Sequence, residues 1–249
     1  MIEIVVRGLV ILMLVSSSLF GQGGSFKPKV DENQHLLIFF YRAQDLQTQE
    51  MRSRFKEAIR LAGDGAGALE VQLDDPQHKE RVAKYDLKRA PMPFVLVLAS
   101  NGAVVGAFPA SFTSQQLIDS LSSPALASAL KALQEHELVL LCLQNSETLE
   151  NKEALSGVEE FRRDLRFNSG SQAIVVDPKC EIEQRFFAQL GIDTSSFLAM
   201  TVLIAPPGDI VGTLIGATSK DQIISLLQGA SSPCCGPGCC GPGCCPQRK

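Results

Sequence analysis

The stretch "YDLKRAPMPFVLVLASNGAVVGAF", residues 85–108, decides how the chain folds. Pro91 and Pro93 lead into an unbroken apolar run from Phe94, and a second apolar run ends at Phe108. Asn101-Gly102 lies between the two runs. Asn and Gly tolerate the positive φ that a tight turn between antiparallel strands demands, so this stretch predicts a β-hairpin. Working upstream, "HLLIFFYR" (35–42) reads as a buried strand. Glu50–Ala62 reads as a helix with Met51, Phe55, Ala58, Ile59 and Ala62 on one stripe. "GDGAG" (63–67) ends that helix, "ALEVQLDDP" (68–76) is a strand with a terminal turn, and "QHKERVAKYDLKRA" (77–90) is a polar helix with a thin apolar face. Downstream, "TSQQLIDSL" (113–121) is a closing helix capped by Thr113 or Ser114.

The order then repeats. A linker helix, "SPALASALKALQE" (123–135), leads to the strand "ELVLLCLQ" (137–144) and the helix "NKEALSGVEEFRRDL" (151–165). The strand "SQAIVVDP" (171–178), the helix "KCEIEQRFFAQLGI" (179–192), the hairpin "MTVLIAPPGDIVGTLIG" (200–216) and the helix "TSKDQIISLL" (218–227) complete it. "ASNGAVVGAFPASFTSQQLIDSL" (99–121) aligns without gaps on "APPGDIVGTLIGATSKDQIISLL" (205–227), with Gly102 on Gly208, Gly106 on Gly212 and Gln116 on Gln222. The chain therefore reads as an internal duplication. Each unit runs β-α-β-α-β-β-α, which implies an α/β fold with a mixed sheet and helices on both faces.

That order, with "YDLKRAPM" before the hairpin, resembles the thioredoxin-like superfamily. Its members carry a Tyr-Gly-Ile-x-x-x-Pro-Thr stretch at this place, in which the proline is cis and borders the active site. Tyr85, Leu87 and Pro91 fit that spacing, while Pro93 fits better the distance to the hairpin turn and directly precedes the strand at Phe94. Both are cis-Pro candidates, with Pro93 preferred. The resemblance implies two tandem thioredoxin-like domains, residues 22–134 (including the linker helix) and 135–229. In the second domain Phe197 and Ala199 stand where the two prolines stand in the first.

Thioredoxin-like enzymes place Cys-x-x-Cys just after the first core strand, at a helix N-terminus that favours the thiolate. Here "FFYRAQDLQTQEM" (39–51) offers Asp45 and Thr48, and "CLQNSETLENKEAL" (142–155) offers Ser146 and Thr148. None of these can exchange disulfides, and Asp and Thr read as helix caps. The resemblance is thus to the non-catalytic domains of protein disulfide isomerases, which implies polypeptide binding through the same cleft and no catalytic residue. Cys142, inside a strand, reads as a small buried hydrophobe. Cys180, placed in the first turn of a helix, is a possible reactive thiol or a disulfide partner for Cys142. "GDGAG" follows a helix and precedes a strand, the reverse of a dinucleotide-binding loop. His35, His78 and His136 are isolated and read as surface residues.

The ends of the chain carry different signals. "MIEIVVRGLVILMLVSSSLFGQGG" has a short apolar core and small residues after it, which reads as a signal peptide over residues 1–21. Its apolar run falls short of the ~20 residues of a membrane-spanning helix, and an uncleaved N-terminal anchor is the alternative. Either places the rest of the chain outside the cytoplasm, secreted or in the periplasm or cell envelope, where disulfides persist. Residues 230–249 form a Cys-rich tail with Cys234, Cys235, Cys239, Cys240, Cys244 and Cys245 in three adjacent pairs. Gly-Pro-Gly between the pairs favours tight turns. Adjacent Cα atoms sit about 3.8 Å apart, too close for an ordinary disulfide within a pair. Links between pairs, or shared coordination of Zn or Cu(I), suit the arrangement. With nothing apolar to bury, the tail is expected to be disordered unless stapled or metallated. A net charge of −4, with both signs mixed along the chain, argues against nucleic acid and against an anionic membrane surface as partners. The functional expectation is a redox-inactive binding or scaffold protein whose tail binds soft metal or forms disulfides. The alternative is an atypical redox protein acting through Cys180 or the tail thiols.

Overall fold

A computed structural model describes residues 34–230 apart from Asp86. The expected signal peptide, the lead-in after it and the six tail cysteines lie outside the described residues. Two compact units divide between Glu135 and His136.

In the first unit the elements run β1 (His35–Tyr41), α1 (Leu46–Ala62), β2 (Ala66–Gln72), α2 (Lys79–Lys84), β3 (Phe94–Leu98), β4 (Val104–Pro109), α3 (Ser114–Asp119) and α4 (Pro124–Gln134). The sheet order is β2–β1–β3–β4, with β1 and β2 parallel and the other pairs antiparallel. β1 and β3 are central, so alternate side chains of both bury on opposite faces. Leu37, Phe39, Val95 and Val97 pack against Met51, Phe55 and Ala58 of α1 and Leu117 of α3. Leu36, Ile38, Phe40, Leu96 and Leu98 pack against Val82 of α2 and Leu87. This explains why both strands read as continuous apolar runs. Burying a side chain such as Phe55 contributes about 2–3 kcal/mol.

The second unit runs β5 (Leu138–Leu143), α5 (Asn151–Arg163), β6 (Ser171–Val176), α6 (Gln184–Leu190), β7 (Met200–Ala205), β8 (Asp209–Ile215) and α7 (Lys220–Ala230). Its sheet order, β6–β5–β7–β8, repeats that of the first unit. Both units are therefore mixed α/β structures, each a four-stranded mixed sheet with flanking helices.

The likeness reaches single hydrogen bonds when positions are shifted by 106, as from Gly102 to Gly208. The β3–β4 ladder is irregular at Val97/Leu98 and the β7–β8 ladder at Leu203/Ile204. The Ala110 N–H donates to Pro93 O at 2.7 Å, and the Gly216 N–H to Ala199 O at 2.7 Å. Both donors have positive φ, 60° and 79°. Thr113 and Gln116 form a reciprocal capping box on α3, and Ser219 and Gln222 form the same pair of bonds on α7. Gly106 lies against the C-terminal end of α3 and Gly212 against α7: a Cβ would meet Ser120 Cβ at 3.1 Å and Leu226 Cδ2 at 2.9 Å.

Several local expectations need correction. The polar helix over 77–90 is broken into a 3-10 turn (Pro76–His78), α2 and a second 3-10 turn (Leu87–Arg89). Among the described residues there only Val82 and Leu87 are buried, too thin a stripe to hold one long helix on the sheet. β2 starts at Ala66, inside "GDGAG", because a 3-10 turn over Gly63–Gly65 already reverses the chain. Among the described residues no helix is long and apolar enough to cross a membrane.

Candidate functional site

In the first unit the site is built at the C-terminal end of β1. Asp45 ends the strand-to-helix loop, and its side chain accepts from the Thr48 N–H at 2.8 Å. That hydrogen bond and the one from the Thr48 hydroxyl hold the Asp45 carboxyl below its ordinary value. The Asp45–Thr48 pair thus spends its polar atoms on helix capping, and Thr48 is buried. Between them, Leu46 projects outward with 84% of its surface exposed. Gln47 Nε2 donates to Ala110 O at 3.0 Å. Ala110 in turn is bonded to Pro93 through its N–H, so the N-terminus of α1 and the Pro93 loop form one rim. The Met92–Pro93 peptide bond is cis; of the two candidates, Pro93 carries it. Beneath the rim, Arg52 is clamped: Nε donates to Glu70 Oε2 at 2.8 Å and Nη1 to Gln44 Oε1 at 2.6 Å, with its guanidinium 4.7 Å from the Tyr41 ring centroid.

The equivalent end of the second unit is closed on itself. Asn145 Oδ1 accepts from the N–H groups of Glu147 (2.9 Å) and Thr148 (3.1 Å), and the Thr148 hydroxyl donates to Asn151 Oδ1 (2.7 Å). Ser146 lies within this turn. Leu149 then forms a parallel bridge with Leu198. Its N–H donates to Phe197 O and its C=O accepts from Ala199 N–H, both at 2.9 Å. Phe197 and Ala199 correspond to Pro91 and Pro93, so the chain's own Leu149 occupies the backbone edge that stands beside Pro93 in the first unit. Glu150 follows with φ 62° and accepts from the Ala217 N–H. The bridge joins residues 49 positions apart and had no local signal in the sequence.

The two cysteines of the described region are both free, so the Cys142–Cys180 disulfide does not form. Cys142 is buried among Val158, Phe161, Leu203 and Ile223, and burial pushes its thiol up to about 11. Cys180 lies past the end of β6 and is half-buried. It is not in the first turn of an α-helix: it caps a 3-10 turn, Glu181–Glu183, that precedes α6. Beside it Asn145 Nδ2 and the Lys179 N–H both donate to Asp177 Oδ1 at 2.8 Å, and Lys179 pairs with Glu147. His35 also differs from expectation. It is half-buried, and its Nε2 accepts from the Ser122 N–H at 3.0 Å, tying the start of β1 to the segment before α4. Among the described residues no group of three or more His, Cys, Asp or Glu is placed to hold a metal ion.

No protein-family model matches the chain, and no curated protein matches it. Solved structures that it resembles include the germline-specific thioredoxin Deadhead of Drosophila melanogaster, at 23% identity over 35% of this chain and 77% of that one, with a TM-score of 0.29. A malaria-parasite thioredoxin-2, described as a component of protein secretion machinery, matches at 17% identity over 35% and 80%, TM-score 0.31. Mitochondrial thioredoxin 3 of Saccharomyces cerevisiae matches at 15% identity over 37% and 80%, TM-score 0.30.

Proposed function

We propose that the chain is an exported, redox-inactive protein of two tandem thioredoxin-like domains that binds extended polypeptide through its first domain. The supporting observation is the contrast between the two corresponding sites. In the second unit Leu149 pairs with the backbone of Phe197–Ala199, so that edge is filled by the chain itself. In the first unit no bridge to Pro91–Pro93 is found among the described residues, and Leu46 is exposed at the N-terminus of α1, which Gln47 ties to the Pro93 loop through Ala110. An extended segment whose N–H donates to Pro91 O, with an apolar side chain on Leu46, reproduces there one of the two bonds that Leu149 makes in the second unit; the other has no counterpart, because Pro93 carries no N–H. Asp45 and Thr48 at the position of the reactive cysteines leave that site without a nucleophilic thiol.

The tail is a separate device in this reading. Cys234, Cys235, Cys239, Cys240, Cys244 and Cys245 bind a soft ion, Zn or Cu(I), or link pair to pair by disulfides. Mass spectrometry of the exported protein with and without chelator decides between them, and fully alkylatable tail thiols without metal oppose both. The polypeptide-binding role is tested by titrating a permanently unfolded, carboxymethylated polypeptide. Leu46→Asp should weaken binding about tenfold or more by placing a charge against an apolar side chain. Unchanged affinity would remove the first domain's rim from the account. A redox protein working through Cys180 or the tail instead predicts turnover in an insulin-reduction assay, lost in Cys180→Ser or on tail deletion.

A further inference from the structure

Both units tie the N-terminus of a helix to the loop after the last strand, but the two tethers stand in different conformations. In the first unit Gln47 Nε2 donates to Ala110 O. In the second a Glu150 carboxylate oxygen accepts the Ala217 N–H. A leucine directly precedes each tether, Leu46 in one unit and Leu149 in the other. The first tether is already helical, because α1 begins at Leu46, and Leu46 makes no bridge to Pro91–Pro93 among the described residues. α5 begins only at Asn151, and Glu150 before it is left-handed, with φ 62°. That conformation is strained for a residue with a Cβ. It leaves Leu149 outside the helix and on the Phe197–Ala199 edge.

Leu149 is lightly held there. Its bridge is an isolated one of two backbone bonds, to Phe197 O and from the Ala199 N–H. Its side chain is 58% exposed, so apolar burial contributes little, and Phe197 beside it is 72% exposed. The Glu150 carboxylate closes the arrangement. It sits against Gly216, at a place that a Cβ on that residue would take.

We infer that the Phe197–Ala199 edge is a latent binding site for extended polypeptide, masked by Leu149 and latched by Glu150. Opening carries Glu150 out of the left-handed conformation and into the helix, so that α5 lengthens toward Leu149 as α1 begins at Leu46 in the first unit. Leu149 leaves, and Phe197 O and the Ala199 N–H are freed together. The edge then offers an acceptor and a donor to a strand that runs parallel to it, as Leu149 does, with Phe197 as apolar surface beside it. The first unit offers the acceptor alone, because Pro93 has no N–H. While the latch is made, the second unit stays shut. The inference rests on the reading that these edges take polypeptide, but its opening step is tested without any ligand.

The test is amide hydrogen exchange of the full chain under reducing conditions. In the wild type the Ala199 N–H should exchange by local opening, at a rate that low urea does not change, while Val202 in β7 follows global unfolding. Glu150→Ala removes the carboxylate and favours the helix. Exchange at Leu149 and Ala199 should then quicken about tenfold or more, the factor that one hydrogen bond is worth, with Val202 unchanged. Glu150→Gln keeps an acceptor oxygen and should keep the wild-type rates. The unfolded carboxymethylated polypeptide should slow Ala199 again in Glu150→Ala and leave it as it was in the wild type. Ala199 exchange that tracks Val202 in urea, or that Glu150→Ala leaves unchanged, overturns the inference. If Glu150→Ala unfolds the unit, Val202 quickens too and the wild-type urea dependence decides. Quickened exchange that polypeptide does not slow also overturns it. Protection at Met92 in that same sample leaves the first-unit reading standing, and no protection anywhere removes both.

Discussion

At the scale of single residues, two groups give readings that follow from their surroundings. The Cys142 thiol, pushed up to about 11 by burial, is protonated at neutral pH and shielded, whereas Cys180 reaches the surface in part. Alkylation of native protein near pH 8 should label Cys180 and leave Cys142 unlabelled until denaturant is added; prompt labelling of Cys142 would mean that β5 is not packed as described. His35 is held below its ordinary value of 6.5, chiefly by burial, and its neutral Nε2 is the acceptor for the Ser122 N–H. Above pH 6.5 folded and unfolded chains are both neutral at this residue and its stabilising bond is intact. As pH falls below that value the unfolded chain takes the proton first, so stability declines until the folded pKa is also passed. Urea denaturation between pH 7.5 and 5 should show this fall, and His35→Gln should flatten it.

At the scale of elements, the tightest of the described glycines sits where α5 meets the lead-in to α7. A Cβ on Gly157 would lie 1.9 Å from Thr218 O and 2.6 Å from Thr218 C, both backbone atoms that cannot swing away. Gly157→Ala should therefore cost about 3 kcal/mol or prevent folding of the second unit, read from chemical denaturation. A cost near that of an exposed helical substitution would show that the two helices do not cross this closely. The hairpins were legible in the sequence because their signals are local: Asn101 Oδ1 accepts the Ala103 N–H and Gly102 takes φ 81°, as an Asn-Gly turn requires. The α1 cap was legible for the same reason, since Asp45 acts within three residues. What could not be read is long-range. Gln134 reaches back 30 positions to Val104, and Leu149 reaches forward to Leu198, with no composition or period to announce either contact. The split of 77–90 was missed because Lys79–Lys84 is helical and no Gly or Pro within 77–90 marks the interruption before Leu87.

At the scale of the whole molecule, one plan is used twice with different endings. The shared bonds at Ala110/Gly216 and at Thr113/Ser219 show that the frame around each site is the same. In the second unit the chain fills that frame with its own Leu149, and in the first no described residue forms the corresponding bridge and Leu46 is exposed. In the proposed function the first unit holds a partner while the second is closed, and thiol chemistry is assigned to the tail cysteines rather than to the capped helix at Asp45. The most direct test is a backbone amide map, by NMR or hydrogen exchange, of the full chain titrated with the unfolded carboxymethylated polypeptide. Changes confined to Leu46, Gln47, Met92 and Ala110 are predicted. Changes centred on Leu149 and Phe197–Ala199, or none at saturating polypeptide, would contradict the account.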